Sequence, residues 1–253
     1  MTLIDNPKGN YRFLTGIAPY SSGVVAKPGY EIVRATLDQP VPYRQGFGLI
    51  ERHLSRQEQS RTALCGLELR APKPFTFAGF AEFNQGYQNM LADWELLIDR
   101  HNPIARTNVA PELEPPAEPV LYAFSYTVPT HNPDASPTFV IAGAGDLVNQ
   151  ELKPEAVVRP GETSIEAMRA KAAHVMEAMH SRLAGVEAPW SHVTAVDIYT
   201  VHSIHAYLGP TILALMGRAA IHGVHWFYSR PPIVGVEFEM DLRGVRQEIR
   251  LAT

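Results

Sequence analysis

VLYAFSYTVPTHNPDASPTFVIAG, residues 120–143, decides how the chain is divided. Its first part, 120–128, puts Val120, Tyr122, Phe124 and Tyr126 on one face and the smaller Leu121, Ala123 and Ser125 on the other, the pattern of a strand covered on both sides. Residues 129–138 then hold three prolines among Asn, Asp and Ser, which breaks the periodicity and reads as a linker. FVIAG, 139–143, opens a second strand that runs into a glycine turn. The spacing predicts an N-terminal domain over 1–128, a linker over 129–138 and a C-terminal domain over 139–253.

Working outward, the second half carries the clearest helix. Thr163 is the expected N-cap with Glu166 completing a capping box, and Ile165, Met168, Ala172, Val175, Met179 and Leu183 recur at helical spacing. Gly185 is the expected left-handed stop. HVTAVDIYTV (192–201) reads as a strand, PTILALMGRAA (210–220) as a short helix opened by proline, and VGVEFEMDL (234–242) as a strand. In that last strand Val236, Phe238, Met240 and Leu242 alternate with Glu237, Glu239 and Asp241, the pattern of a solvated face. The first half repeats the order with weaker helices, YRQGFGLIERHLSRQ (43–57) and FAEFNQGYQNMLADWELLID (80–99), around the strand TALCGLELR (62–70). An internal repeat of roughly 115 residues follows, and with it an α+β fold class: two tandem domains, each a mixed sheet with helices packed on one face.

Composition narrows the function classes. The 253 residues are 45% hydrophobic and 19% charged, with no apolar run near the roughly 18 residues of a bilayer span, so disorder and membrane insertion are excluded. The 22 Lys and Arg against 26 Asp and Glu give a net charge of −4 without a local basic patch, which excludes nucleic acid as a partner. The opening MTLIDNPKGNYRF lacks the basic and apolar regions of a secretory signal, and Cys65 is the single cysteine, so the expected location is cytoplasmic. Cys65 sits in an apolar strand and reads as a core residue. Seven of the ten histidines fall between His174 and His225. The pairs His202/His205 and His222/His225 invite a metal, but no aspartate or cysteine stands at ligand spacing beside them, so no metal site is expected.

The motifs FAEFNQGY (80–87), NPIARTNVA (102–110), FVIAGAGDL (139–147), SIEAMRAKAAHVMEAMHSRLAG (164–185) and VGVEFEMDL (234–242) resemble those of the RidA/YjgF (L-PSP-like) family of reactive-intermediate deaminases, in tandem form. That resemblance implies two domains of chorismate-mutase-like fold, a homotrimer, and hydrolysis of an imine or enamine acid without any cofactor. It also implies substrate-binding roles for Asn84 and Arg106, and, with the last strands counted without a gap, Glu237 at the family's glutamate and His222 where the family has arginine. The first half keeps the arginine, but the same count from Arg106 reaches Leu121 rather than an acid. One composite cleft, arginine from one half and glutamate from the other, is the arrangement this predicts.

The chemistry suits those residue types. A planar guanidinium grips a carboxylate through two parallel hydrogen bonds and stays charged when desolvated, which fits Arg106. Glu237 is assigned to direct water onto the C=N carbon, Glu239 is a further substrate-binding candidate, and His222 combines carboxylate binding with proton exchange near neutral pH. Tyr20 and Ser22, ahead of the first strand, are candidates to line the pocket. The expected partner is a small carboxylate-bearing substrate, such as a conjugated enamine dicarboxylate of the 2-aminomuconate type. The alternatives are a ligand-binding protein without turnover, since each half lacks one key residue, and a different carboxylate-processing enzyme on the same fold.

Overall fold

In residues 32–37 of one long strand every side chain is buried: Val33, Ala35 and Leu37 on one face, Ile32, Arg34 and Thr36 on the other. A sheet buried on both faces needs a layer on each side. The computed structural model describes residues 1–132 and 134–253. Its strands are β1 (Leu3–Asn6), β2 (Tyr11–Leu14), β3 (Gly23–Ala26), β4 (Tyr30–Pro42), β5 (Leu64–Arg70), β6 (Ala105–Pro111), β7 (Val120–Pro129), β8 (Phe139–Gly145), β9 (Ala195–Tyr199), β10 (His225–Phe227), β11 (Ser229–Arg230), β12 (Glu239–Gly244) and β13 (Gln247–Leu251). The helices are α1 (Tyr43–Arg56), α2 (Phe77–Asp93) and α3 (Ile165–Gly185), with an irregular helical stretch over residues 205–222.

Two mixed sheets result, ordered β1-β2-β3-β8-β12-β9-β10 and β11-β6-β5-β7-β4-β13. One order occurs twice: β6-β5-β7-β4 in one sheet and β10-β9-β12-β8 in the other, with β5–β6 and β9–β10 parallel and the remaining pairs antiparallel. Strands cross the 129–138 segment in both directions. β3 pairs with β8, while β11 and β13 flank β6 and β4. Each sheet therefore contains strands from both ends of the chain.

Apolar spacing explains which helix faces are buried. On α1, Tyr43, Gly46, Phe47, Ile50 and Leu54 form one stripe, and Gly46 lets the helix approach β7, because a Cβ there would lie 2.8 Å from Leu121. α2 begins earlier than the pattern predicts, since Thr76 accepts a hydrogen bond from the Gly79 N–H at 3.0 Å. On α3 the cap is Ser164 rather than Thr163, with the Ala167 N–H donating to it at 3.2 Å. Gly185 is the last helical residue, packed against Leu14; the left-handed residue that turns the chain is Glu187, at φ 61°. The expected helix 210–220 is part of the irregular stretch, and β12 is followed by a further strand, β13.

The core lies in three layers. Leu67, Leu69 and Phe124 pack under α1 and α2, and Ile141, Ile198 and Met240 pack under α3. Between the sheets, Tyr11, Phe13, Val24, Ile32, Cys65 and Ala142 form an apolar patch, and the rest of that interface is charged. Glu239 and Asp241 are buried, 4% and 5% exposed, because the second sheet covers the face of β12 that alternation marks as solvated. Among the described residues no helix is long and apolar enough to cross a membrane.

Candidate active site

A buried ion pair fixes the floor of the site. Lys171 of α3 donates to Oδ2 of Asp146 at 2.6 Å with both side chains fully buried, and Asp146 Oδ1 accepts the backbone N–H groups of Glu237 (2.8 Å) and Phe238 (3.1 Å). The end of β8 is thereby tied to the start of β12, where Glu239 begins the strand opposite Gly145. The Glu239 carboxyl lies over β8 at Gly143, where a Cβ would collide with its Oε1; glycine is what lets the acid fit. Burial, reinforced by the charge of Asp241, raises its pKa well above the usual carboxylate range against the pull of Arg182 and Arg106.

Arg106 lies on β6 level with Leu67, on the side of the sheet that α2 covers. Four aromatic rings surround its guanidinium, with centroids at 4.5 Å (Tyr87), 5.0 Å (Tyr20), 5.7 Å (Phe80) and 5.7 Å (Phe83). Nη2 donates to Asn84 Oδ1 at 2.6 Å, whereas Nε and Nη1 are buried without a partner among the described residues. Burial lowers the Arg106 pKa, and a guanidinium still stays charged. Beside it, both amide atoms of Asn108 are also buried and unpartnered. A set of unmet donors and acceptors at one spot is costly unless something polar comes to occupy it.

Two cavities meet here. The inner one, about 20 Å³, is lined by Arg106, Asn108, Glu239, Phe80 and Ile233; the outer one, about 540 Å³, by Ser22, His174, Glu177 and Arg182. Tyr20 and Gln150 border both. Tyr20 is held against β6 by its neighbour Ser21, whose N–H donates to the Ile104 carbonyl at 3.0 Å and whose hydroxyl donates to the Pro103 carbonyl at 3.2 Å. Burial raises the pKa of Tyr20, and Arg182 and Arg106 lower it. Behind the site, Tyr199 donates to Asp241 Oδ2 at 2.9 Å, and burial with the charges of Asp197 and Glu68 pushes Asp241 up to about 7.

The expected residues divide. Arg106, Asn84, Tyr20 and Glu239 come together, with Asn84 holding the arginine, and Ser22 lines the adjoining outer cavity. Glu237 turns away and pairs with His202 Nε2 at 2.9 Å. His222 is exposed at the end of the irregular helix and lines a separate cavity with His192 and Arg246. Neither is among the residues that line the cavities around Arg106. Asn108, Gln150, Gly143 and Arg182 were not among the expected residues. Arg182 had a signal in the sequence: it interrupts the apolar stripe of α3 next to Leu183.

A desolvated guanidinium with two open donors, next to a carboxyl whose pKa burial raises well above its usual range, is the buried cluster that this α+β fold assembles. Comparison with known proteins supplies the family. The model of the family described as 2-aminomuconate deaminase CnbZ matches residues 3–249, and a 2-amino-5-chloromuconate deaminase from Comamonas testosteroni is 40% identical over 241 residues, covering 95% of both chains. The chain belongs to the 2-aminomuconate deaminase CnbZ family. Among solved structures, a chorismatase matches with a TM-score of 0.47 at 9% identity over 88% of this chain and 77% of its own. A Thermotoga maritima protein described as a candidate endoribonuclease matches with a TM-score of 0.30 at 15% identity, over 45% and 82%.

Proposed function

We propose that this chain is a hydrolytic deaminase of a conjugated 2-amino dicarboxylate of the 2-aminomuconate type. The observation that carries the reading is the pair of open donors on Arg106, Nε and Nη1, buried beside Glu239. The donors take the carboxylate next to the amino-bearing carbon. Glu239, in its acid form, protonates the enamine on carbon and gives an iminium. Its carboxylate then takes a proton from the water that adds to the C=N carbon, and that proton passes to nitrogen. Ammonia leaves as the remaining hydroxyl gives its proton to the Glu239 carboxylate, which restores the acid, so enamine and water become keto acid and ammonia. Support comes also from the family and from the burial of Glu239, which favours its protonated form. In this reading Glu239 does the work that spacing assigns to Glu237.

The test is ammonia release from 2-aminomuconate generated in situ. Arg106→Gln is expected to lower kcat/KM by about 100- to 1000-fold and Glu239→Gln to lower kcat by about 100-fold or more. Glu237→Gln and His222→Gln are expected to stay within about threefold, the size of an ordinary surface change. Full turnover by Glu239→Gln, or its loss in Glu237→Gln, would overturn the assignment.

A further inference from the structure

The second arginine of the site, Arg182, has no part in the reaction described above. It projects from the buried face of α3, where Nη1 donates to the carbonyls of Ala142 (2.8 Å) and Gly143 (3.1 Å). Nη2 reaches Gln150 Oε1 only at 3.5 Å, so among the described residues its five N–H donors make three bonds, one of them long. No carboxylate pairs with it among the described residues, although it is only 4% exposed. Its free side faces the outer cavity of about 540 Å³.

The two arginines line cavities that have two residues in common. Tyr20 and Gln150 border both cavities, and Glu239 and Tyr20 both feel the charge of Arg106 and of Arg182. Gln150 is fixed there by its side-chain N–H groups, which donate to the Gly145 carbonyl (3.1 Å) and the Leu147 carbonyl (3.0 Å). Its backbone is left-handed, φ 56°, directly after Asn149 at φ 53°, a conformation non-glycine residues seldom adopt and one that clusters at ligand sites. The inner cavity, about 20 Å³, is too small for a six-carbon chain, so a substrate anchored at Arg106 has to continue past Tyr20. Its path leads in front of Arg182.

We infer that the inner and outer cavities form one elongated dicarboxylate site, in which Arg182 binds the carboxylate remote from the reacting carbon and so selects diacids over monoacids. This rests on the deaminase reading for the identity of the reacting end. The remote carboxylate meets the open edge of the Arg182 guanidinium, while Ser22 and His174 line the same cavity.

The experiment compares 2-aminomuconate with its ester at the remote carboxylate, both generated in situ, and measures binding of muconate and its monomethyl ester by calorimetry. Wild type is expected to prefer the diacid by about 10- to 100-fold in kcat/KM, the worth of one charge-assisted contact. In Arg182→Gln that ratio is expected to collapse to within about threefold, and Arg182→Lys to restore part of it, since the charge returns without the fork. Equal use of diacid and ester by wild type would overturn the inference while leaving the deaminase intact. So would an Arg182→Gln variant that loses both substrates in proportion and is not rescued by lysine, which marks a purely structural role. Should neither substrate release ammonia while muconate still binds better than its ester in wild type but not in Arg182→Gln, the subsite stands and the reaction falls.

Discussion

Lys171→Met is the perturbation whose size the structure fixes best. The Lys171 ammonium and the Asp146 carboxylate are both fully excluded from water, so removing the lysine head leaves a carboxylate buried with no cation. Breaking such a pair from one side costs about 3–5 kcal/mol. For a chain of this length that is a midpoint shift of roughly 6–20 °C, at about 2–4 °C per kcal/mol. The partner position gives the sign that makes the test sharp. Asp146 Oδ1 also accepts the N–H groups of Glu237 and Phe238, and an asparagine oxygen can still do so. Lys171→Met with Asp146→Asn should therefore be more stable than Lys171→Met alone. Thermal melts of the two single variants and the double variant, followed by circular dichroism, supply the cycle. A loss below about 1 kcal/mol in Lys171→Met, or a double variant no more stable than it, would refute the view that this pair is an uncompensated charge when halved.

Gly143→Ala should displace the Glu239 carboxyl, which its Cβ would strike, and lower kcat for ammonia release by about tenfold or more; a melt within about 3 °C of wild type would separate this from unfolding, and unchanged kcat would remove Glu239 from the chemistry. Asp241, pushed from its ordinary 3.8 up to about 7, binds its proton more tightly folded than unfolded, so it draws stability down as pH rises from about 4 to 7 and adds no slope above; Asp241→Asn should flatten that window in denaturant titrations, and an unaltered slope would contradict the assignment.

Local periodicity made much of the fold legible. β7, α1 and α3 fall close to the residues that alternation and helical spacing mark, because each buries one face against its immediate neighbours. The charges on β12 were misread for a reason no single strand can reveal. Alternation marks Glu239 and Asp241 as solvated, and only the second sheet, built mainly from residues 30–129, buries them. Arg106, Asn84 and Tyr20, singled out by motif and position, lie together in the structure, whereas Glu237 and His222, placed by a count without a gap, lie apart from them. Arg182 was readable in principle, as a charge inside an apolar stripe, since a guanidinium there must find partners.

Two sheets share a strand order, and the side chains they carry set where chemistry can sit. Arg106 comes from one sheet and Glu239 from the other. The Arg70 guanidinium lies over the rings of Tyr122, Tyr199 and Phe227, at 4.0, 5.6 and 5.6 Å, and its Nη2 is buried without a partner among the described residues. Arg106 is also ringed by aromatics, yet it keeps two donors open. The raised pKa of Glu239 bears on those donors. An ionised Glu239 would turn Arg106 and Arg182 toward itself and cancel the field a substrate carboxylate needs, whereas burial and the Asp241 charge favour the proton and leave both arginines available. The charged layer behind the site is therefore coupled to both arginines through the acid: burial first, and the charge of Asp241 after it, favour the proton on Glu239, and a protonated Glu239 makes no ion pair with either guanidinium.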